Sequence, residues 1–162
     1  MAEAPGLLAW LAATPLSETM RTATWAYPVV EIVHIAGFSV LVGSVVLFDL
    51  RVLGWGPALP VAALAQHLLR WALASALLAA AAGLLLFSAH PLELTSNPVF
   101  LLKLALIAFA GLNALVFHLL PYRRVAHWER ERAVPLAARL GAALSILLWL
   151  GVIACGRLLA YV

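Results

Sequence analysis

YPVVEIVHIAGFSVLVGSVVLFD, residues 27–49, decides the fold, because Glu31, His34 and Asp49 are its only acidic, basic or imidazole side chains. At about 1.5 Å per residue, a helix of this length spans the roughly 30 Å hydrocarbon core of a bilayer. Three further stretches of the same kind follow, at residues 61–89, 98–120 and 135–160. Breakers separate them: Gly54, Gly56, Pro57 and Pro60, then His90-Pro91 through Asn97-Pro98, then Pro121 to Pro135. In lipid every backbone N–H and C=O must be satisfied internally, so spanning segments are helices or closed barrels, and no alternating ten-residue pattern appears. The sequence predicts an all-α, integral-membrane four-helix bundle over residues 27–162.

Composition points the same way. The chain is 65% hydrophobic and 10% charged, with a mean hydropathy of +1.05, which excludes an ordinary soluble globule. Residues 1–26 form a separate arm. Leu7, Leu8, Trp10 and Leu11, then Pro15 with Ser17 as an N-cap, then the anchors Trp25 and Tyr27, predict an amphipathic, partly helical segment lying on the membrane surface. The arm lacks the basic start and small-residue cleavage site of a signal peptide, so it is expected to be retained.

Arg51, Arg70, Arg123, Arg124, Arg130, Arg132 and Arg139 gather on the side of the first and third connections, against Arg21, Lys103 and Arg157 on the other. By the positive-inside rule those connections face the cytoplasm. This predicts a multi-pass protein of a bacterial inner membrane with both termini periplasmic. The net charge of +3 therefore reports topology, and no basic groove interleaved with aromatics argues for nucleic acid. Cys155 stands alone, which excludes an internal disulfide or a multi-thiolate metal site, and reads as packing.

Ionisable groups inside a bilayer cost about 2.5–3.5 kcal/mol each on insertion scales, so they face the bundle interior and usually serve a function. Counted from the helix ends, they fall into two layers. Glu31, His34, His90, Glu93, Lys103 and Arg157 lie near one leaflet; Asp49, Arg51, His67, Arg70, Asn113, His118, His127 and Arg139 lie near the other. His34 and His118 then differ by roughly 15–20 Å in depth and cannot ligate one iron together. His67 and His118 match in depth. A haem b between the second and third helices would take one imidazole from each, with Arg70, Arg123 or Arg124 at the propionates.

His34 has Glu31 at i−3, a spacing at which a carboxylate can accept the imidazole N–H and orient a metal-ligating histidine. Gly37, one turn on, leaves room for a flat ligand beside it. Lys103, Ile107, Ala110, Gly111, Ala114 and His118 recur along one face of the third helix; His67, Trp71, Ala74, Ser75 and Ala82 along the second. Small residues on those faces also suit plain helix packing. His90 precedes Pro91 and is expected in the loop, and His127, between Ala126 and Trp128, reads as solvated surface. HExxH, CxxC and paired Glu-x-x-His patterns are missing and there are only two Met, so a dedicated copper or di-iron site lacks ligands.

EIVHIAGFSVLVGSVVLFDLRVLG together with NPVFLLKLALIAFAGLNALVFH resembles a family of small bacterial four-helix membrane proteins over most of Trp25 to His118. More distantly, His-x-x-Gly early in the first helix and the lysine opening the third resemble HemJ-type protoporphyrinogen oxidases and CopD-like membrane domains. The resemblance implies haem b, His34 as its ligand, and Lys103 as a functional residue meeting a carboxylate of haem or another tetrapyrrole. The long arm and Asp49-Leu50-Arg51 depart from that pattern.

Three functional expectations follow. The first is a b-haem-binding oxidoreductase or electron carrier in the lipid bilayer, with His34, His67 and His118 as ligands, Glu31 and Lys103 as catalytic groups, and a redox protein or quinone as partner. The second is a cofactor-free accessory or assembly subunit, in which Glu31, His34, Lys103, Asp49 and Arg51 tie helices into register. The third is a small transporter. Four helices without inverted repeats make a poor carrier alone, so that reading needs a homo-oligomer.

Overall fold

The computed structural model describes residues 6–125 and 134–161. Those residues are mostly helical, with no strand among them. Two short helices, α1 (Leu7–Ala12) and α2 (Pro15–Thr22), precede α3 (Ala26–Leu53), α4 (Val61–Ala89), the short α5 (Pro91–Ser96), α6 (Pro98–Leu119), a 3₁₀ turn at Tyr122–Arg124, and α7 (Leu136–Leu158). α3, α4, α6 and α7 are each long and apolar enough to cross a membrane.

Local chemistry sets the ends. α3 runs past its expected end at Asp49 because Leu50, Val52 and Leu53 continue the apolar pattern. It stops at Gly54, whose φ of 113° lies in the left-handed region that a residue without Cβ enters at no steric cost. Asn97 caps α6, its Oδ1 accepting from Val99 N at 2.9 Å and Phe100 N at 3.4 Å, with Pro98 at the first helical position. Thr14 and Pro15 start α2 in the same way, so the cap there is Thr14 and not Ser17.

The long helices pack in the order α4, α3, α7, α6, with the most extensive seam between α3 and α4, then α6 with α7, then α3 with α7. α4 and α6 share no extended backbone contact. Side chains bridge that opening instead, as where the Phe87 and Phe100 rings stack at 5.7 Å. Leu73, Leu77, Leu84, Phe109, Leu112 and Leu147 point outward, while the interior is built from Ala65, Ala72, Ala79, Ala110, Ala138 and Ala142 with Ser44, Ser75 and Ser145. Apolar outside and small inside is the inverse of a soluble bundle and suits a lipid solvent. On α4 the buried stripe is Ala65, Ala72, Ser75, Ala79 and Ala82; His67, Trp71 and Ala74, expected on it, are exposed.

The arm closes one end, which also carries α5 and the α7 C-terminus. Ser17, fully buried, places Oγ 2.7 Å from both the Ser88 and the Leu11 carbonyl oxygens, and its one proton can be donated to either. Arg21 donates to Ala89 O (3.0 Å) and Ala12 O (2.9 Å). These bonds satisfy carbonyls that the last turn of α4 leaves without partners, so the arm works as a helix cap supplied in trans. Its Leu7, Trp10, Leu16 and Trp25 stay exposed. The opposite, arginine-rich end holds the main apolar cluster of Phe48, Val52, Val61, Ala65, Phe117, Ala138 and Ala142.

Candidate functional site

Asp49 stands one turn before the end of α3, inside that cluster, and is 6% exposed. Its neighbour two residues on leaves it. Arg51 turns back along the loop, donating from Nε to Leu59 O at 2.5 Å and from Nη2 to Pro57 O at 3.4 Å. The expected tie between Asp49 and Arg51 is therefore replaced by an arginine that staples the α3–α4 turn. Ser145, buried on α7, is the side-chain hydrogen-bonding neighbour of the Asp49 carboxyl. Asp49 Oδ2 has no partner, and it is the one buried side-chain nitrogen or oxygen of the described residues in that position.

Asp49 lines a cavity of about 50 Å³ together with Ser145, Asn113, His118, Gly141 and Leu69. Asn113 reaches it from the middle of α6, where Nδ2 donates to Gly141 O at 3.0 Å. That bond uses the amide nitrogen and leaves Oδ1 as an acceptor. His118, one turn further on, donates from Nδ1 to Ala114 O at 2.8 Å. A carbonyl can only accept, so Nδ1 carries a proton. The Tyr122 ring lies 5.2 Å from the imidazole. A second cavity, of about 260 Å³, adjoins the first and shares Asn113, Phe117 and Gly141 with it. One layer of side chains thus separates Asp49 from the α6–α7 groove.

The other expected site residues do not assemble with one another. His34 is half-buried against α4, its Nδ1 donating to Ala79 O at 2.8 Å. Glu31, expected to accept that proton, is exposed; the α4 backbone accepts it instead, because α3 and α4 approach closely here. A Cβ on Gly83 would stand 3.0 Å from His34 Cε1, and one on Gly37 would stand 3.2 Å from both Ala79 N and Ser75 O. Gly37 therefore admits the α4 backbone, not a flat ligand. Phe38 stacks with His34 at 6.5 Å and meets Trp149 edge-on at 6.0 Å, which fills the side toward α7. Lys103 is half-buried facing α7, with Nζ 3.8 Å from where a Cβ on Gly156 would sit.

The only ion pair among the described residues joins His90 and Glu93 at 3.5 Å on the surface. His90 is the non-helical bend that joins α4 to α5. His127 lies outside the described residues, as does the side chain of Arg124.

A haem held between His67 and His118 needs both imidazoles turned toward one space. His67 is exposed on α4 and is not part of the lining of the cavity that His118 faces from α6, so this pair does not fit it. His34 stands at the other end of the bundle, in its tightest seam. No three His, Cys, Asp or Glu side chains among the described residues gather as metal ligands. Of the residues that do assemble, Asp49, Asn113 and His118 belong to one layer of the sequence reading. Ser145 was not singled out there. Its signal is a polar residue in the apolar stretch between Arg139 and Arg157, weak because serine also serves plain packing.

Comparison of the chain with protein-family models, with curated proteins and with solved structures finds no match.

Proposed function

We propose that this chain is a membrane-embedded cation-handling protein, taking up a proton or small metal cation at Asp49 as part of a transport or coupling cycle. The observation that carries this reading is the Asp49 carboxyl, buried among lipid-spanning helices with Oδ2 unpartnered and facing a cavity. Leaving a buried polar atom unpaired costs about 1–3 kcal/mol. A residue kept at that cost inside a membrane bundle is by default a functional one, and carboxyl and imidazole groups together suit cation or proton passage. Passage across the whole bilayer by so few helices calls for a second copy of the chain.

The test is flux in vesicles reconstituted with the full chain, followed by a pH-sensitive dye and a cation-sensitive dye. Asp49→Asn keeps the shape of the side chain and is expected to lower the flux at least tenfold, with helix content and elution volume unchanged. Equal flux through the wild type and the variant would remove the proposal.

A b-haem reading is favoured by one observation, the bond from His34 Nδ1 to Ala79 O, which leaves Nε2 free as a ligand nitrogen. It predicts a Soret band and a reduced α-band in protein purified from haem-replete cells, both diminished in His34→Ala. A colourless preparation would sink it.

A further inference from the structure

We infer that the ligand of the Asp49 cavity is a single, largely dehydrated monovalent cation of about sodium size, held by oxygens of Asp49, Ser145 and Asn113; this rests on the cation-handling reading above. Donor chemistry is the first reason. Asp49 Oδ2 has no partner, the Ser145 hydroxyl keeps its lone pairs, and Asn113 has committed its nitrogen to Gly141 O, which leaves Oδ1 free. Carboxylate, hydroxyl and amide oxygens are the hard ligands that alkali and alkaline-earth ions prefer. A zinc-type ion would want three or four nitrogen, sulfur or carboxylate ligands, and this cavity supplies one carboxylate and one imidazole.

Charge is the second reason. Asp49 from α3, Leu69 from α4, Asn113 and His118 from α6, and Ser145 from α7 face the cavity, and Arg51 is turned away to the loop. One carboxylate neutralises one positive charge. A divalent ion would leave a net charge where the dielectric is low and the Coulomb cost high.

Size is the third. A cavity of about 50 Å³ is small, with room for an ion and few waters beside it. Magnesium demands near-ideal octahedral geometry and keeps several waters, which suits this small donor set less well than a largely dehydrated monovalent ion. A bare proton needs no cavity at all.

The experiment is thermal unfolding of the purified full chain in detergent, in sodium, potassium and choline chloride at one ionic strength, with proton uptake into vesicles measured in parallel. Ligand binding to the folded state alone stabilises by mass action. At a hundred times the Kd, sodium is therefore expected to raise Tm over choline by about 5–10 °C, and potassium by less. Asp49→Asn should abolish the difference between salts within the variant, whatever its own stability, and Ser145→Ala should reduce it. The same Tm in all three salts, with Asp49-dependent proton uptake intact, overturns the sodium inference and leaves the cation-handling reading standing. Equal stabilisation of wild type and Asp49→Asn by sodium overturns the site. Loss of both the sodium response and any dependence of flux on Asp49 overturns both.

Discussion

Gly37→Leu is expected to lower the unfolding free energy by about 3 kcal/mol or more, at the upper end of what overpacking costs. The clash is with backbone. A Cβ at residue 37 would stand 3.2 Å from Ala79 N and Ser75 O and 3.4 Å from Ala79 Cβ. Main-chain atoms inside α4 cannot rotate away as a side chain can, so α3 and α4 must separate along the most extensive seam of the bundle. Separation also breaks the hydrogen bond from His34 Nδ1 to Ala79 O, because both features depend on the same interaxial distance. Gly43 and Gly111 supply the control, since a Cβ at either meets nothing within 4 Å. Gly43→Leu and Gly111→Leu are expected to stay within about 0.5 kcal/mol of the wild type. Equilibrium unfolding in mixed detergent and SDS measures all three. Should Gly37→Leu unfold together with Gly43→Leu, the close approach of α3 and α4 would not be what holds this seam.

The contrast among these glycines marks what could be read from the chain. Apolar length and Gly-Pro punctuation place all four long helices within a few residues, because backbone satisfaction in lipid permits little else. The exception is the end of α3, where Asp49 looked terminal. A single carboxylate does not stop a helix when Leu50, Val52 and Leu53 go on burying or presenting apolar surface. Which face each helix turns inward was less legible. In a soluble bundle the apolar face is the inner one, but here leucine is outside and alanine, glycine and serine are inside, so hydrophobic periodicity carries little signal. On α4 it pointed to His67 and Trp71, and both are exposed.

Site residues show the same division. Depth counting put Asp49, Asn113 and His118 in one layer, and the cavity brings those three together. It grouped Glu31, His34 and Lys103 as well, but depth says nothing about azimuth. His34 turns to α4, Lys103 to α7, and Glu31 faces outward. The i−3 spacing of Glu31 from His34 is a necessary condition for their hydrogen bond, and the nearer Ala79 carbonyl takes the proton. Ser145 meets Asp49 across a tertiary contact that no local spacing encodes, and Arg51 is drawn off by carbonyls of the turn that follows it.

Asp49→Leu is expected to separate stability from function. Leucine is close to aspartate in shape, it removes the buried oxygen that lacks a partner, and the 50 Å³ cavity can take its extra methyl groups. Removing an unpaired buried acceptor returns about 1–3 kcal/mol, and apolar side chains often replace buried ionisable groups with no loss of stability. Ser145, deprived of the carboxyl, can turn its hydroxyl to the carbonyl one helical turn back. In choline chloride, where no ligand contributes, the variant should therefore unfold about 1–3 kcal/mol harder than the wild type, while the sodium response and the Asp49-dependent flux disappear. Asp49→Asn should show the functional loss without the gain, because the amide brings two N–H donors that also need partners. A structural Asp49, kept only to tie α3 to Ser145 of α7, gives the opposite sign, with Asp49→Leu losing stability in every salt. Destabilisation of Asp49→Leu by more than about 2 kcal/mol in choline would thus reassign the residue from ligand to tie. Natural functional sites commonly carry such a cost, and substitutions that remove it stabilise the fold at the expense of activity.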